Sequence, residues 1–214
     1  MGDLIYLDER RADRSRPARD GIAAFFFDLA CPLSYLTAER VERSLGEVQW
    51  IPVASASLGG ERDEAEIAAI REHAETRARA LRLPLVWPDR FPADAPCALR
   101  AATRACELGA GARFALATSR LAFCGGFDLE DPETLAEAAA AAGVSLADCL
   151  TAAGDVTRDV QLRATADGLR SRGISQLPAI RVGRRWLGGE SGLVAAGAVM
   201  RDPPRYRRPL APVG

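Results

Sequence analysis

Phe25-Phe26-Phe27-Asp28-Leu29-Ala30-Cys31-Pro32-Leu33-Ser34-Tyr35-Leu36 is the stretch on which the reading of this chain turns. The short, apolar, aromatic-rich run from Ala23 to Leu29 reads as a buried strand. After Cys31 the periodicity becomes helical. Leu33, Thr37, Val41 and Leu45 recur along one face with Leu36 beside them, Glu39, Arg40, Glu42 and Arg43 lie elsewhere, and Gly46 ends the pattern. Glu39 and Arg43 have the spacing of a favourable i, i+4 pair. Proline suits the first helical position, where its missing N–H costs nothing. A thiol just ahead of it faces the positive end of the helix dipole and the free amides of the first turn. Both favour thiolate, so Cys31 is a candidate nucleophile, expected to ionise well below the free-cysteine value of about 8.5.

Working outward, Val48 to Val53 reads as a second strand, and strand, helix and strand with short links form a βαβ unit with parallel strands. The pattern then turns helical. A long charged helix covers Glu61 to Leu81, and a proline-rich connector runs from Leu83 to Pro96. Further helices follow over Cys97–Leu108, Ala112–Phe123, Pro132–Ala142, Leu146–Ala152 and Thr157–Arg172. Asp131-Pro132 with Glu133 is a good helix start, and Asp155 is placed to cap the last of these helices. Strands return at Pro178–Val182 and Arg185–Leu187 around a Gly183-Arg184 turn, and Ser191–Met200 closes as a helix. The order β-α-β, helices, β-β-α is that of an α/β thioredoxin fold with a mixed central sheet and a large all-helical insertion domain. The expected divisions are an arm over 1–20 that is poorly ordered, two halves of the thioredoxin domain over 21–56 and 173–200, the insertion over 57–172, and a surface tail over 201–214.

The chain has 214 residues, is 48% hydrophobic and carries a formal net charge of −1, which points away from nucleic acid or an anionic membrane as partner. Every basic residue outside the one histidine is arginine, consistent with the codon bias of a GC-rich bacterial genome. Leu4-Ile5-Tyr6-Leu7 is too short for the apolar core of a signal peptide, and no apolar run is long enough to span a bilayer. The expected compartment is therefore the cytoplasm, where thiols stay reduced. The five cysteines, Cys31, Cys97, Cys106, Cys124 and Cys149, are odd in number and irregular in spacing, with no C-x-x-C, so no disulfide framework is expected. His73, the only histidine, lies in a charged helical stretch and reads as solvated, so no metal is expected.

In a thioredoxin fold the start of the first helix faces the loop into the third strand, here Ser175-Gln176-Leu177-Pro178. A proline at that place is expected to be cis, leaving the N–H and C=O of Leu177 to pair with an extended thiol substrate. The alternative is an ordinary strand-initiating proline. Trp87 and Phe91 either line an aromatic substrate pocket or anchor the connector. Cys97 is the best candidate for a second, resolving thiol, although it and the remaining cysteines also read as small core residues.

The segment Phe27 to Leu36 resembles the active-site segment of the DsbA-like superfamily, with closer likeness to its branch of 2-hydroxychromene-2-carboxylate isomerases and kappa-class glutathione transferases. Trp87-Pro88 to Phe91-Pro92, Ala98-Leu99-Arg100-Ala101, Phe127-Asp128-Leu129-Glu130-Asp131-Pro132 with Leu135, and Gly173-Ile174-Ser175-Gln176-Leu177-Pro178-Ala179 resemble further segments of that branch, in the same order. The resemblance implies glutathione as co-substrate, a small-molecule or thiol substrate, and a homodimer. Three positions depart from it. The branch carries serine at Cys31, and the disulfide oxidoreductases carry C-x-x-C where this chain has Cys31-Pro32-Leu33-Ser34. The branch's connector asparagine falls on Asp94, and its Ser-Asp pair, which grips the γ-glutamyl end of glutathione, falls on Glu190-Ser191.

The expected catalytic residues are thus Cys31 and Ser34, the latter donating to the thiolate or capping the helix. The expected binding residues are Pro32, Trp87, Asp94, Leu177, Pro178, Glu190 and Ser191. Three functions fit: a monothiol oxidoreductase whose mixed disulfide is resolved by an outside thiol, a glutathione-dependent isomerase or transferase acting on an aromatic catabolite, and a thioredoxin-fold binding protein without turnover.

Overall fold

The computed structural model describes residues 22–59 and 62–201. The expected arm over 1–20 and the tail from residue 202 lie outside the described residues. Strand β1 (Ala23–Phe27) is central in a four-stranded sheet of order β2-β1-β3-β4. All five of its residues are buried, which explains why the run shows no polar alternation: both faces of the strand are covered. Ala23, Phe25 and Phe27 enter one apolar cluster with Val48, Trp50 and Ile180. Ala24 and Phe26 enter a second with Val53, Leu169 and Ala179.

Helix α1 (Pro32–Leu45) crosses from β1 to the parallel strand β2 (Val48–Pro52), as the βαβ reading requires. It stops at Gly46, whose φ of 74° is one a side chain would resist. β3 (Ala179–Val182) runs antiparallel to β1, and β4 (Arg185–Gly188) antiparallel to β3, so the sheet is mixed. Between β2 and β3 stand α2 (Glu64–Leu81), α3 (Pro96–Glu107), α4 (Gly111–Gly125), α5 (Pro132–Ala142), α6 (Leu146–Gly154) and α7 (Asp159–Arg170), and α8 (Gly192–Arg201) closes the described chain. None of these helices is long and apolar enough to cross a membrane.

At two helix starts that differ from expectation, side-chain caps set the bound. α2 begins at Glu64 rather than Glu61 because Asp63 and Glu66 form a reciprocal capping box. The expected helix from Thr157 opens instead as a 3-10 turn over Val156–Arg158, held by the Asp155 side chain on the Thr157 amide, and α7 starts after it. Asp131 caps α5 as expected, accepting from the Glu133 amide. His73 is exposed.

The expected Glu39–Arg43 pair is not formed. Glu39 instead accepts from Nε and Nη2 of Arg120 on α4, at 2.6 and 2.7 Å, because a planar guanidinium presented by a neighbouring helix matches a carboxylate in two-pronged fashion. Tyr35 stacks on Phe123 of the same helix with centroids 5.6 Å apart. These contacts fix α4, and with it the wall of the cleft, against α1.

Candidate active site

The turn from β1 into α1 is built on Asp28. Its buried carboxylate accepts from the amide of Ala30 at 2.8 Å and of Ser55 at 2.7 Å, which ties the turn to the segment after β2. Burial pushes the Asp28 carboxyl above its ordinary value, against the pull of the Ser55 and Ala30 hydrogen bonds, and Asp94 adds to the rise. Asp28 was not singled out by its residue type. The signal available in the sequence was position: an aspartate closing a strand just before a helix start is suited to bond the amide two residues on.

Cys31 is the N-cap of α1, with Pro32 in the first turn, and its carbonyl accepts the first helical bond from Tyr35. The Leu177–Pro178 peptide bond is cis, as expected. The Cys31 thiol points at that loop and donates to the Leu177 carbonyl at 3.7 Å. The two segments, 146 residues apart in the chain, therefore meet at the sulfur. Leu177 is buried and its carbonyl is taken by the thiol in this state. Pro32 and Pro178 are buried as well.

Ser34 is buried, and its hydroxyl oxygen accepts from the Asp28 amide at 3.3 Å. The same hydroxyl favours the Cys31 thiolate; it does not cap the helix, whose start carries no side-chain cap, but ties the first turn back to the end of β1. The expected low thiol pKa is not what the site produces. Burial pushes the Cys31 thiol above its ordinary value, and the Asp28 carboxylate adds to that, while the Ser34 hydroxyl and the Ser34 and Leu33 amides pull the other way. The helix start acts in the direction expected of it, but a few oriented amides do not outweigh the partial burial of Cys31.

Next to Cys31, Ala30 forms part of the wall of a cavity of about 210 Å³, lined also by Phe91, Asp94, Phe123, Phe127 and Asp128. Asp94 stands in the lining of this cavity. Trp87 is not among the lining residues. Its indole N–H donates to Glu75 of α2 at 3.0 Å and its ring packs on Phe91 at 4.6 Å with the Arg71 guanidinium above it, so it anchors the connector to α2. Phe123, Phe127 and Asp128 were missed as lining residues because helix and loop periodicity carries no information about which cleft an end faces.

Glu190 is drawn away from the expected role. Its Oε1 accepts from Arg40 of α1 and Arg77 of α2, each at 2.8 Å, and the side chain is buried. Arg40 lies nine residues beyond Cys31, about 13 Å along the helix at 1.5 Å per residue. Glu190 therefore clamps α8 to α1 and α2, well down the helix from the sulfur. Ser191, exposed, offers its carbonyl to the first turn of α8. Burial pushes the Glu190 carboxyl up, but the Arg77 and Arg40 guanidiniums more than reverse this and hold it below its ordinary value. Its stabilisation is thus full above the ordinary glutamate pKa and is lost as pH falls through the depressed folded value. Glu190→Gln is expected to cost about 1–3 kcal/mol at neutral pH by urea unfolding, with the difference from wild type vanishing in acid.

All five cysteines are free thiols. Cys97 sits at the start of α3 with its amide on Glu130, and burial together with Glu130 pushes its thiol up. Among the described residues no group of side chains could hold a metal ion.

Fold and site together place the chain among thioredoxin-fold proteins with a thiol at the head of the first helix. Residues 23–198 match the family model described as DSBA-like thioredoxin domain. The chain belongs to that family. No curated protein matches its sequence. Among solved structures it is similar to a 2-hydroxychromene-2-carboxylate isomerase, with TM-score 0.68 and 12% identity over 84% of this chain and 94% of that one. It is likewise similar to a probable DsbA oxidoreductase from Streptomyces coelicolor, with TM-score 0.70 and 19% identity over 90% of this chain and 94% of the other. A protein assigned as a disulfide isomerase from Nitrosomonas europaea has TM-score 0.67 and 16% identity over 86% of this chain and 98% of the other. At these identities the likeness is one of fold.

Proposed function

We propose that this protein is a monothiol oxidoreductase in which Cys31 exchanges with a disulfide and an outside thiol completes the cycle. The observation that carries this reading is the approach of the Cys31 sulfur to the Leu177 carbonyl beside Pro178, with Ser34, which cannot form a disulfide, three residues on. In the first step Cys31–SH and R–S–S–R give Cys31–S–S–R and R–SH. In the second an external thiol R′–SH attacks the R sulfur, releasing R–S–S–R′ and returning the proton to Cys31. Such a cycle suits a compartment rich in small thiols, as the cytoplasm is. A thiol whose pKa is raised is a poor leaving group, so the mixed disulfide is favoured relative to a site that stabilises its thiolate. Cys31 then lies on the reducing side of this chemistry.

The isomerase or transferase reading has less behind it. Glu190 is committed to two arginines, and the cleft wall carries Asp94 and Asp128, which oppose a carboxylate such as the one named for the solved isomerase or those of glutathione. The binding-protein reading predicts no covalent product.

The test is intact-mass measurement after incubation with a small uncharged disulfide across a pH series. One adduct, at Cys31, is expected. Its rate of formation, with the raised thiol pKa, is slower than that of free cysteine at neutral pH and still climbing above pH of about 8.5. No adduct at any pH would overturn the proposal, and a rate already level below neutrality would overturn the raised thiol pKa.

A further inference from the structure

We infer that the cavity beside Cys31 selects a positively charged disulfide partner, an inference that rests on Cys31 being the reacting thiol. Ala30 contributes to the cavity wall, and its Cα is one peptide, about 3.8 Å, from that of Cys31. A disulfide engaged at the sulfur thus has the cavity within a few ångströms of its substituents. Three carboxylates, Asp89, Asp94 and Asp128, stand in the lining against one guanidinium, Arg90. Arg90 is matched by Asp128 at 3.9 Å. Asp89 and Asp94 have no ion-pair partner among the described residues and both are exposed at the rim. The walls are the rings of Phe91, Phe123 and Phe127, whose faces attract a cation as well as an apolar chain. Arg71 lies over the Phe91 ring at 4.9 Å and Glu75 accepts from the Trp87 indole, so one charge of each sign stands beside this wall. The negative field reaches the site itself, since Asp94 adds to the proton affinity of Asp28 beneath the turn.

The geometry thus favours an ammonium-bearing substituent and disfavours a carboxylate-bearing one. The reaction read is the first exchange step: a Cys31–S–S–R bond forms, the R–S–S–R bond breaks, and R–SH leaves with the thiol proton. Three probes separate charge from reactivity: cystamine with two ammonium groups, bis(2-hydroxyethyl) disulfide with none, and dithiodiglycolate with two carboxylates. Each rate of adduct formation is divided by that probe's rate with 2-mercaptoethanol at the same pH, which removes its intrinsic reactivity. The normalised rates should fall in the order cation, neutral, anion, by roughly fivefold per step at low ionic strength. The contrast should collapse near 1 M salt, where the Debye length is about 3 Å. In the Asp89→Asn, Asp94→Asn double variant, with an unchanged circular dichroism spectrum, the cation-to-anion ratio should move towards one.

Equal normalised rates, or a ratio unchanged in the double variant, overturn the selection and leave the thiol reading standing. No reaction with any of the three probes overturns both.

Discussion

Cys31→Ser abolishes adduct formation from every small disulfide while leaving the far-ultraviolet spectrum unchanged. A hydroxyl cannot form a disulfide, so the loss is complete rather than partial, and it is read directly as the absence of the mass increment. What sets Cys31 apart from the remaining cysteines is its place at the head of α1 facing the Leu177–Pro178 loop, since burial raises the thiols of Cys31, Cys97 and Cys106 alike. Cys149 is buried, with its thiol on the Leu135 carbonyl. Burial pushes the Cys106 thiol up to about 12. Cys97 is held against the negative charge of Glu130. Cys124 lies 3.2 Å from the Tyr35 hydroxyl, which itself donates to the Pro84 carbonyl, at the base of the α1–α4 contact. An adduct persisting in Cys31→Ser would move the reactive thiol elsewhere and remove the basis for the cycle proposed above.

Phe25→Ala costs about 3–5 kcal/mol in denaturant unfolding, the range for removing a buried aromatic ring. Phe25 is fully buried, stacks on Phe27 at 5.8 Å and meets Trp50 edge-on at 5.0 Å, so its loss opens a cavity between the sheet and α1 that neighbouring rings on a hydrogen-bonded strand cannot collapse to fill. Against a typical stability of about 5–15 kcal/mol this is a large fraction. Phe25→Leu keeps most of the apolar volume and should lose less than half as much. A loss under about 1 kcal/mol for the alanine variant would mean that the site collapses freely, contrary to its packing.

Much of this architecture could be read in the chain. The Phe25–Phe27 run has no polar alternation because both sheet faces are covered, and that made the central strand visible. Cys31-Pro32 marked the helix start, and Gly46 its end, through backbone chemistry local to a few residues. The pairing of Cys31 with Pro178 followed from the order of elements, since two halves of one sheet must meet. The details that failed are those decided by partners distant in sequence. Glu39 was assigned to Arg43 on its own helix and was taken by Arg120. Trp87 was weighed as pocket or anchor, and Glu75 and Arg71 made it the anchor. Glu190 was read as a ligand-gripping residue and serves two arginines.

What the sequence determined by itself is the thioredoxin-type order of elements and the place of one thiol at a helix head, because periodicity, capping and turn residues act locally. What only the tertiary structure decided is the character of that thiol. The helix start predicts a thiolate. The packing of β1, α1 and the Leu177 loop leaves Cys31 half-buried with Asp28 nearby, and the balance turns towards the protonated form. The charge of the neighbouring cavity is likewise a product of folding. It combines a connector, the end of α4 and the loop after it, and no single segment announces that their carboxylates will face the same opening.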